Sequence, residues 1–269
     1  MKNPISFITA NFVARELDYH MTGGWMEGDE ATNAAFKPLE TFAGKFGGIL
    51  DEVKALGFDR IDIWTGHLNP AWAGEEHLAI ARKLLAERGL KVISLAGGFG
   101  DGLEGLAASC RTAKAIGAEM LAGGLRVYHQ QPDEVLAVLR EHAITWAFEN
   151  HPDEKSVADV HKVIGATPPA NVGMACDTGW FGTNGVDAAA ALRELAPICR
   201  QIHLKDVREA GQHRTCALGD GVVDIPACVK VLRETGYTGP IAIEHEPESY
   251  NPLEEIRLSH QRLQEWMQS

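Results

Sequence analysis

Short apolar runs alternate along this chain with longer segments whose apolar residues recur every three or four positions. The first pattern predicts β-strands and the second amphipathic helices. Strands are expected over residues 5–11, 60–64, 91–96, 120–125, 144–148, 172–176, 199–202 and 240–243. Helices are expected over residues 38–56, 75–87, 103–116, 132–142, 156–164, 186–195, 225–235 and 253–267. Local signals support the boundaries. Pro38 suits a first helical turn, Ser156 is a natural N-cap, and Gly57, Gly89 and Gly117 follow helix ends. Two stretches lack either period. Residues 12–37 read as a loop over a site, with Trp25 placed to shield a substrate or to pack on the surface. Residues 207–224 read as turn-rich.

Eight strand-then-helix units without a proline- or serine-rich linker predict an α/β fold, a single (β/α)8 TIM barrel over residues 1–269. A doubly wound open sheet shares the alternation. The count of eight, and the lack of GxGxxG after the first strand, favour the closed barrel.

That fold gives meaning to how four of the strands end. Residues 144–148 lead to Glu149, 172–176 to Asp177, 199–202 to His203 and 240–243 to Glu244. In a barrel the carboxyl ends of all strands meet on one face, so residues far apart in sequence can converge on one ion. Each alone is a weak signal, since a carboxylate after a strand is more often a cap or a surface pair. Three carboxylates and one imidazole make a hard, oxygen-rich donor set. It suits Mn2+, Mg2+ or Co2+ better than a thiolate site would, with Zn2+ still compatible. Glu246 competes with Glu244, being two positions on and able to face the same way. Glu244 follows the strand directly and is preferred, which leaves Glu246 as a surface or supporting group.

Other residues near the predicted active face are candidates for substrate contact. Lys205 could hold a substrate oxygen or phosphate, or pair with a carboxylate. His151 could orient a substrate or cap the next helix. His67 and His213 lie in loops after the second and seventh strands, and Arg126 and His129 after the fourth. Gly219 and Gly221 suit a tight turn.

Composition narrows the function classes. The 269 residues are 45% hydrophobic and 23% charged, ordinary for a soluble globular chain. A formal charge of −12 repels polyanions, which argues against broad nucleic-acid or anionic-membrane binding. Five cysteines without CxxC spacing suit reduced thiols, and the first residues resemble neither a signal peptide nor a membrane span. A cytoplasmic protein is expected, acting on a small molecule and free to form a homo-oligomer.

Five motifs carry a resemblance to a known family: Phe148-Glu149-Asn150-His151, Cys176-Asp177-Thr178-Gly179-Trp180, Ile202-His203-Leu204-Lys205-Asp206, Leu218-Gly219-Asp220-Gly221 and Ile243-Glu244-His245-Glu246. Together they resemble the xylose-isomerase-like barrels, which include sugar isomerases, sugar epimerases and relatives of AP endonucleases. The resemblance covers most of the chain and is densest from Glu149 onward. It implies that Glu149, Asp177, His203 and Glu244 hold a divalent metal, and that Glu149 and Glu244 also exchange the substrate proton. The implied activity is isomerisation or epimerisation of a keto-sugar or polyol ketone through an enediolate. A keto-sugar dehydratase or lyase would use the same site. Many members carry a histidine where this chain has Trp180, an indole that cannot bind metal but can stack on a sugar face. That departure and the acidic charge oppose the nuclease branch.

Overall fold

The computed structural model describes residues 1–268. In chain order the strands are β1 (Ile5–Ile8), β2 (Arg60–Trp64), β3 (Lys91–Gly98), β4 (Met120–Gly124), β5 (Thr145–Glu149), β6 (Val172–Asp177), β7 (Cys199–Leu204), β8 (Asp206–Glu209), β9 (Gln212–Cys216) and β10 (Ile241–Ile243). All but β8 and β9 run parallel and close into a barrel of eight, sealed by β1 pairing with β10 through Ile5 and Ile241. The expected (β/α)8 architecture is therefore observed. β8 and β9 form a separate antiparallel hairpin directly after β7.

The helices are α1 (Trp25–Phe36), α2 (Leu39–Ala55), α3 (Glu75–Glu87), α4 (Leu103–Ala115), α5 (Pro132–Glu141), α6 (Val157–Ile164), α7 (Thr178–Thr183), α8 (Ala188–Leu195), α9 (Ile225–Glu234) and α10 (Leu253–Gln268). In α2, Phe42, Phe46, Ile49, Leu50 and Val53 recur at helical spacing and are all buried. Gly57 then ends the unit at φ +85°, a conformation that suits glycine. Ser156 caps α6 by accepting the Asp159 N–H, as expected.

The period-two alternation of the strands separates two layers. Outward positions such as Phe7, Ile61, Ile63, Leu121, Met174, Ile202 and Ile243 join the helices in one large apolar core. Inward positions are different. Ala96, Ala122, Ala147, Ala175 and Ala242 line the barrel with Ile8 and Trp64. Barrels of this kind are usually filled by bulky branched side chains. Here five of the inward positions carry alanine instead.

Three local expectations need correction. The first strand stops at Ile8 and a 3-10 turn, Thr9–Phe12, follows. There Thr9 Oγ1 accepts the Trp64 N–H, and Asn11 bonds to the backbone around Glu244, so the chain is drawn out of the ladder. The stretch 12–37 is not all loop, since α1 occupies Trp25–Phe36. Its buried face is Gly28, Thr32 and Phe36, too poor in apolar residues to show a period. Gly28 is close-packed: a Cβ there would meet the Val13 carbonyl oxygen at 2.5 Å. The turn-rich 207–224 begins in the β8–β9 hairpin, whose polar residues conceal any alternation. Among the described residues, no helix is long and apolar enough to cross a membrane.

Candidate metal centre

Glu149 closes β5, Asp177 closes β6, His203 lies near the end of β7 and Glu244 follows β10. Two asparagines hold these strand ends in place. Asn150 donates to the Asp177 carbonyl at 3.0 Å and accepts the Asp177 N–H at 2.9 Å. Asn11 donates to the Ile243 carbonyl at 3.1 Å and accepts the His245 N–H at 2.7 Å, bracketing Glu244. Each side-chain amide stands in for a strand where the regular ladder ends.

The His203 imidazole lies between two carboxylates. Its Nδ1 is 2.6 Å from Glu149 Oε1 and 3.0 Å from Glu244 Oε2. All three side chains are buried, and one potential ligand atom from each lies within 4.8 Å of the others. Asp177 is arranged differently from the four equal ligands expected. Its Oδ1 accepts the N–H groups of Gly179 at 2.7 Å and Trp180 at 3.3 Å, capping α7. Its Oδ2 lies 3.0 Å from Lys205 Nζ.

Lys205 joins Asp177 to the rest. Its Nζ is also 3.2 Å from Glu244 Oε1 and 2.9 Å from Glu246 Oε2. The motif after Asp177 makes room for it. Thr178 Oγ1 donates to the Lys205 carbonyl and accepts its N–H, and the Lys205 stem passes over Gly179, where a Cβ would meet its Cγ at 2.6 Å. Asp206, next along, accepts N–H groups of Val207, Gly219, Gly221 and Val223 and so ties down the following loop. Gly221 is required there, because a Cβ would come within 2.2 Å of the Val207 carbonyl oxygen. The two glycines serve the turn expected of them.

The electrostatics are those of crowded, buried charge. Burial disfavours the His203 cation, but Glu149 and Glu244 outweigh it and hold the pKa well above the usual value. Lys205 is likewise pushed down by burial and further up by Asp177, Glu244 and Glu246. Burial raises Glu244, and the charges of Lys205 and His203 reverse this and lower it strongly. Glu149 is also lowered on balance, with His203 overcoming burial. Asp177 rises to about 6 and Glu246 to about 7, burial being the main cause in both. Four carboxylates thus share one ammonium and one imidazole. Asp177 Oδ2 and Glu244 Oε2 are buried with no aligned hydrogen-bond donor, despite their close cations. Converging oxygens short of donors, with an imidazole between them, fit a divalent cation.

Around this centre the substrate candidates divide. Trp180 and His213 stack face to face, with ring centroids 3.5 Å apart and planes within 6°. His213 Nδ1 meets Thr183 Oγ1 at 2.8 Å, while its Nε2 is buried without a partner. Burial, then Lys205, lowers the His213 pKa to about 3, so the ring is neutral. His151 donates from Nδ1 to the Glu149 carbonyl at 2.9 Å and turns Nε2 towards Glu149 Oε2, 3.9 Å away. Its side chain is 48% exposed. His67 stands apart. It is 1% exposed, packed on Phe36 and Trp64, with Nδ1 3.0 Å from Thr9 Oγ1, and so offers little surface to a substrate. Arg126 is exposed and pairs with Asp101, and His129 is exposed.

Glu246 takes the second of the two roles expected for it, that of a supporting group. It is no surface group: its side chain is 9% exposed and bridges Lys205 to the Trp25 indole N–H, 3.1 Å from Oε1. Trp25 packs edge-on to Trp64 at 5.3 Å, so the start of α1 forms part of the rim. Sequence reasoning missed Asn11, Thr178 and Asp62. Only Asp62 left a trace, as a charge inside an apolar strand.

The family described as a xylose isomerase-like TIM barrel matches residues 50–267. The chain belongs to that family. An inosose dehydratase from Mesomycoplasma hyopneumoniae is 28% identical over 136 residues, covering 43% of this chain and 45% of that protein. This chain therefore spans about half the length of the inosose dehydratases it matches. L-ribulose-5-phosphate 3-epimerase UlaE from Salmonella paratyphi A is 26% identical over 239 residues, 76% of this chain and 83% of that one. Among solved structures, an L-ribulose 3-epimerase superposes with a TM-score of 0.70 at 16% identity, covering 99% of this chain and 95% of that one. The IOLI protein with a bound zinc atom gives 0.69 at 17% identity, covering 98% of each chain. These structures share the fold, and the named relatives are sugar-modifying enzymes.

Proposed function

We propose that this family member is a divalent-metal-dependent isomerase or epimerase of a small keto-sugar or polyol ketone. The observation that carries the proposal is His203 buried between Glu149 and Glu244, with carboxylate oxygens that lack aligned donors. Glu149, His203, Glu244 and Asp177 would hold the cation, Mn2+ being the favoured ion and Mg2+, Co2+ or Zn2+ alternatives. When bound, a divalent cation supplies Lewis acidity that acidifies the C–H beside a substrate carbonyl. The protein's own residues do the rest. One of Glu149 and Glu244, ionised, takes the proton from the substrate carbon. The same carboxyl can return it to the adjacent carbon, giving an isomer. The other glutamate, after taking up a proton from solvent, can instead deliver one to the opposite face, giving an epimer. Lys205 keeps Asp177, Glu244 and Glu246 together. The Trp180–His213 stack offers a flat wall for a sugar face, and His151 Nε2 can accept a substrate hydroxyl proton. His67 is assigned no substrate contact.

One domain and a cytoplasmic setting belong to the same proposal, supported by five buried free cysteines that suit a reducing compartment. A second outcome has its own support. The inosose dehydratase relatives point to a site in which proton removal is followed by loss of a hydroxyl as water. Metal-loaded protein incubated with keto-sugars and keto-polyols in deuterated water separates the two. An isomer carrying solvent deuterium at the exchanged carbon supports isomerisation or epimerisation, and an unsaturated product supports dehydration. Neither product from the whole panel would overturn both. Glu149→Gln and Glu244→Gln should each lower turnover by roughly 10²–10⁴-fold.

A further inference from the structure

Barrels of this kind often receive phosphate in the loops after their last two strands. The groups that hold it are backbone N–H groups, a helix N-terminus or a basic side chain. Here those strands are β7 and β10, and acidic groups of the protein already stand at each such feature. Asp206 takes the N–H groups of Gly219, Gly221 and Val223 in the loop that follows β7. The first turn of α10, after β10, carries Glu254 and Glu255. Of the arginines at this end of the barrel, Arg15 pairs with Glu52, Arg126 with Asp101, Arg208 with Glu255 and Arg214 with Glu209.

Lys205 is the cation of the mouth itself, and Glu246 decides what it can meet. The lysine side chain is 3% exposed, with Asp177 Oδ2 3.0 Å and Glu244 Oε1 3.2 Å from Nζ. Either carboxylate would balance its charge. Glu246 adds a third, and it takes the aligned hydrogen bond, 2.9 Å from Nζ to Oε2. Its other oxygen accepts the Trp25 indole N–H at 3.1 Å, so an aromatic ring stands beside the pair. An anion seeking Lys205 would have to displace Glu246 or lie against it. Setting like charges side by side is an effective way to refuse a ligand.

We propose that Glu246 sets the substrate class of this site: it closes the Lys205 ammonium to anions, so that the enzyme takes uncharged, unphosphorylated keto-sugars or keto-polyols and refuses their phosphate esters. Such a substrate meets aromatic surface instead. Trp25, 39% exposed, packs edge-on to Trp64 at 5.3 Å, and the Trp180–His213 stack supplies a second flat surface. The inference rests on the function proposed above.

Two measurements test it. Calorimetric titration with inorganic phosphate, at saturating Mg2+, reads the anion alone. Glu246→Ala should bind phosphate at least about tenfold more tightly than wild type. Glu246→Gln keeps the shape, loses the charge and should fall between the two. Equal phosphate affinity in wild type and variants overturns the inference, and should Glu246→Ala not fold, Glu246→Gln carries the comparison. In the second measurement, Mn2+-loaded wild type is given ketoses and their phosphate esters in pairs, in deuterated water, with products read by mass spectrometry. The free sugars should exceed their esters about 100-fold or more in kcat/KM. Esters turned over as well as the free sugars overturn the inference. If neither series reacts, the proposed activity fails, and the phosphate titration still decides the role of Glu246.

Discussion

The outward and inward faces of the barrel strands share one backbone and differ in almost everything else. Outside, Phe7, Ile61, Leu121, Met174 and Ile202 meet the helices in a continuous apolar layer. Inside, Ser6 and Gln201 hold the buried Asp62 carboxyl, five alanines line the wall, and Glu149, His203, Lys205 and Glu244 crowd the mouth. The difference is a division of labour. The outer layer removes apolar surface from water and supplies most of the stability. The inner face gives up that gain at several positions, where small or charged side chains stand in place of bulky apolar ones. Damage to the outer layer should therefore cost stability whatever is bound. Damage to the mouth should depend on whether a cation is present.

The largest expected effects test that contrast directly. Phe46 of α2 is fully buried in the outer layer, and Phe46→Ala should cost about 3–5 kcal/mol in urea unfolding, with or without divalent cation. Lys205→Met removes the ammonium shared by Asp177, Glu244 and Glu246. Stranding those carboxylates should cost about 3–5 kcal/mol in the cation-free protein. Saturating Mn2+ should restore much of the loss, because a cation bound only by the folded state stabilises it. Equal losses for Lys205→Met with and without Mn2+ would erase the distinction between the two regions.

How much of each region was legible in the sequence follows the same divide. The outer layer announces itself, since packing against helices imposes a period of two on strands and of three to four on helices. β2 and α3 fall at their expected bounds for that reason, and β6 runs one residue past its expected end. The positions of Glu149, Asp177, His203 and Glu244 were also readable, because a polar residue ending an apolar run stands out. Their bonding was not. Asp177 spends one oxygen capping α7, a helix too short and glycine-rich to show in the pattern. Glu246, after β10, meets Trp25 at the start of α1 and Lys205 just after β7 only because the fold brings those segments together. Contacts made between distant segments leave no local period to read.

A smaller effect concerns the space inside. Ala147→Leu adds bulk to the alanine-lined interior below Glu149, where overpacking should cost about 1–3 kcal/mol and weaken Mn2+ binding together. The same exchange at an exposed helix position should change neither quantity. If Ala147→Leu is neutral in both, the small side chains are not what keeps the mouth open.

The smallest effect asks on which side of the divide His67 belongs. Its ring lies between Phe36 of the outer layer and Trp64 of the interior cluster. Burial, helped by the charge of Arg15, depresses its pKa to about 3. The unfolded chain takes up that proton near the ordinary value of about 6.5, and the folded protein does not. The stabilisation from keeping His67 neutral is therefore complete above about pH 6.5 and lost as pH falls from there towards 3. At about pH 5.5 the single site should cost about 1.4 kcal/mol. His67→Phe, which keeps a ring against Phe36 and Trp64, should remove that part of the acid slope in urea unfolding. Parallel pH profiles for the two proteins would mean that His67 can be protonated in place. It would then belong with the solvated, charged groups of the mouth and not with the packed layer.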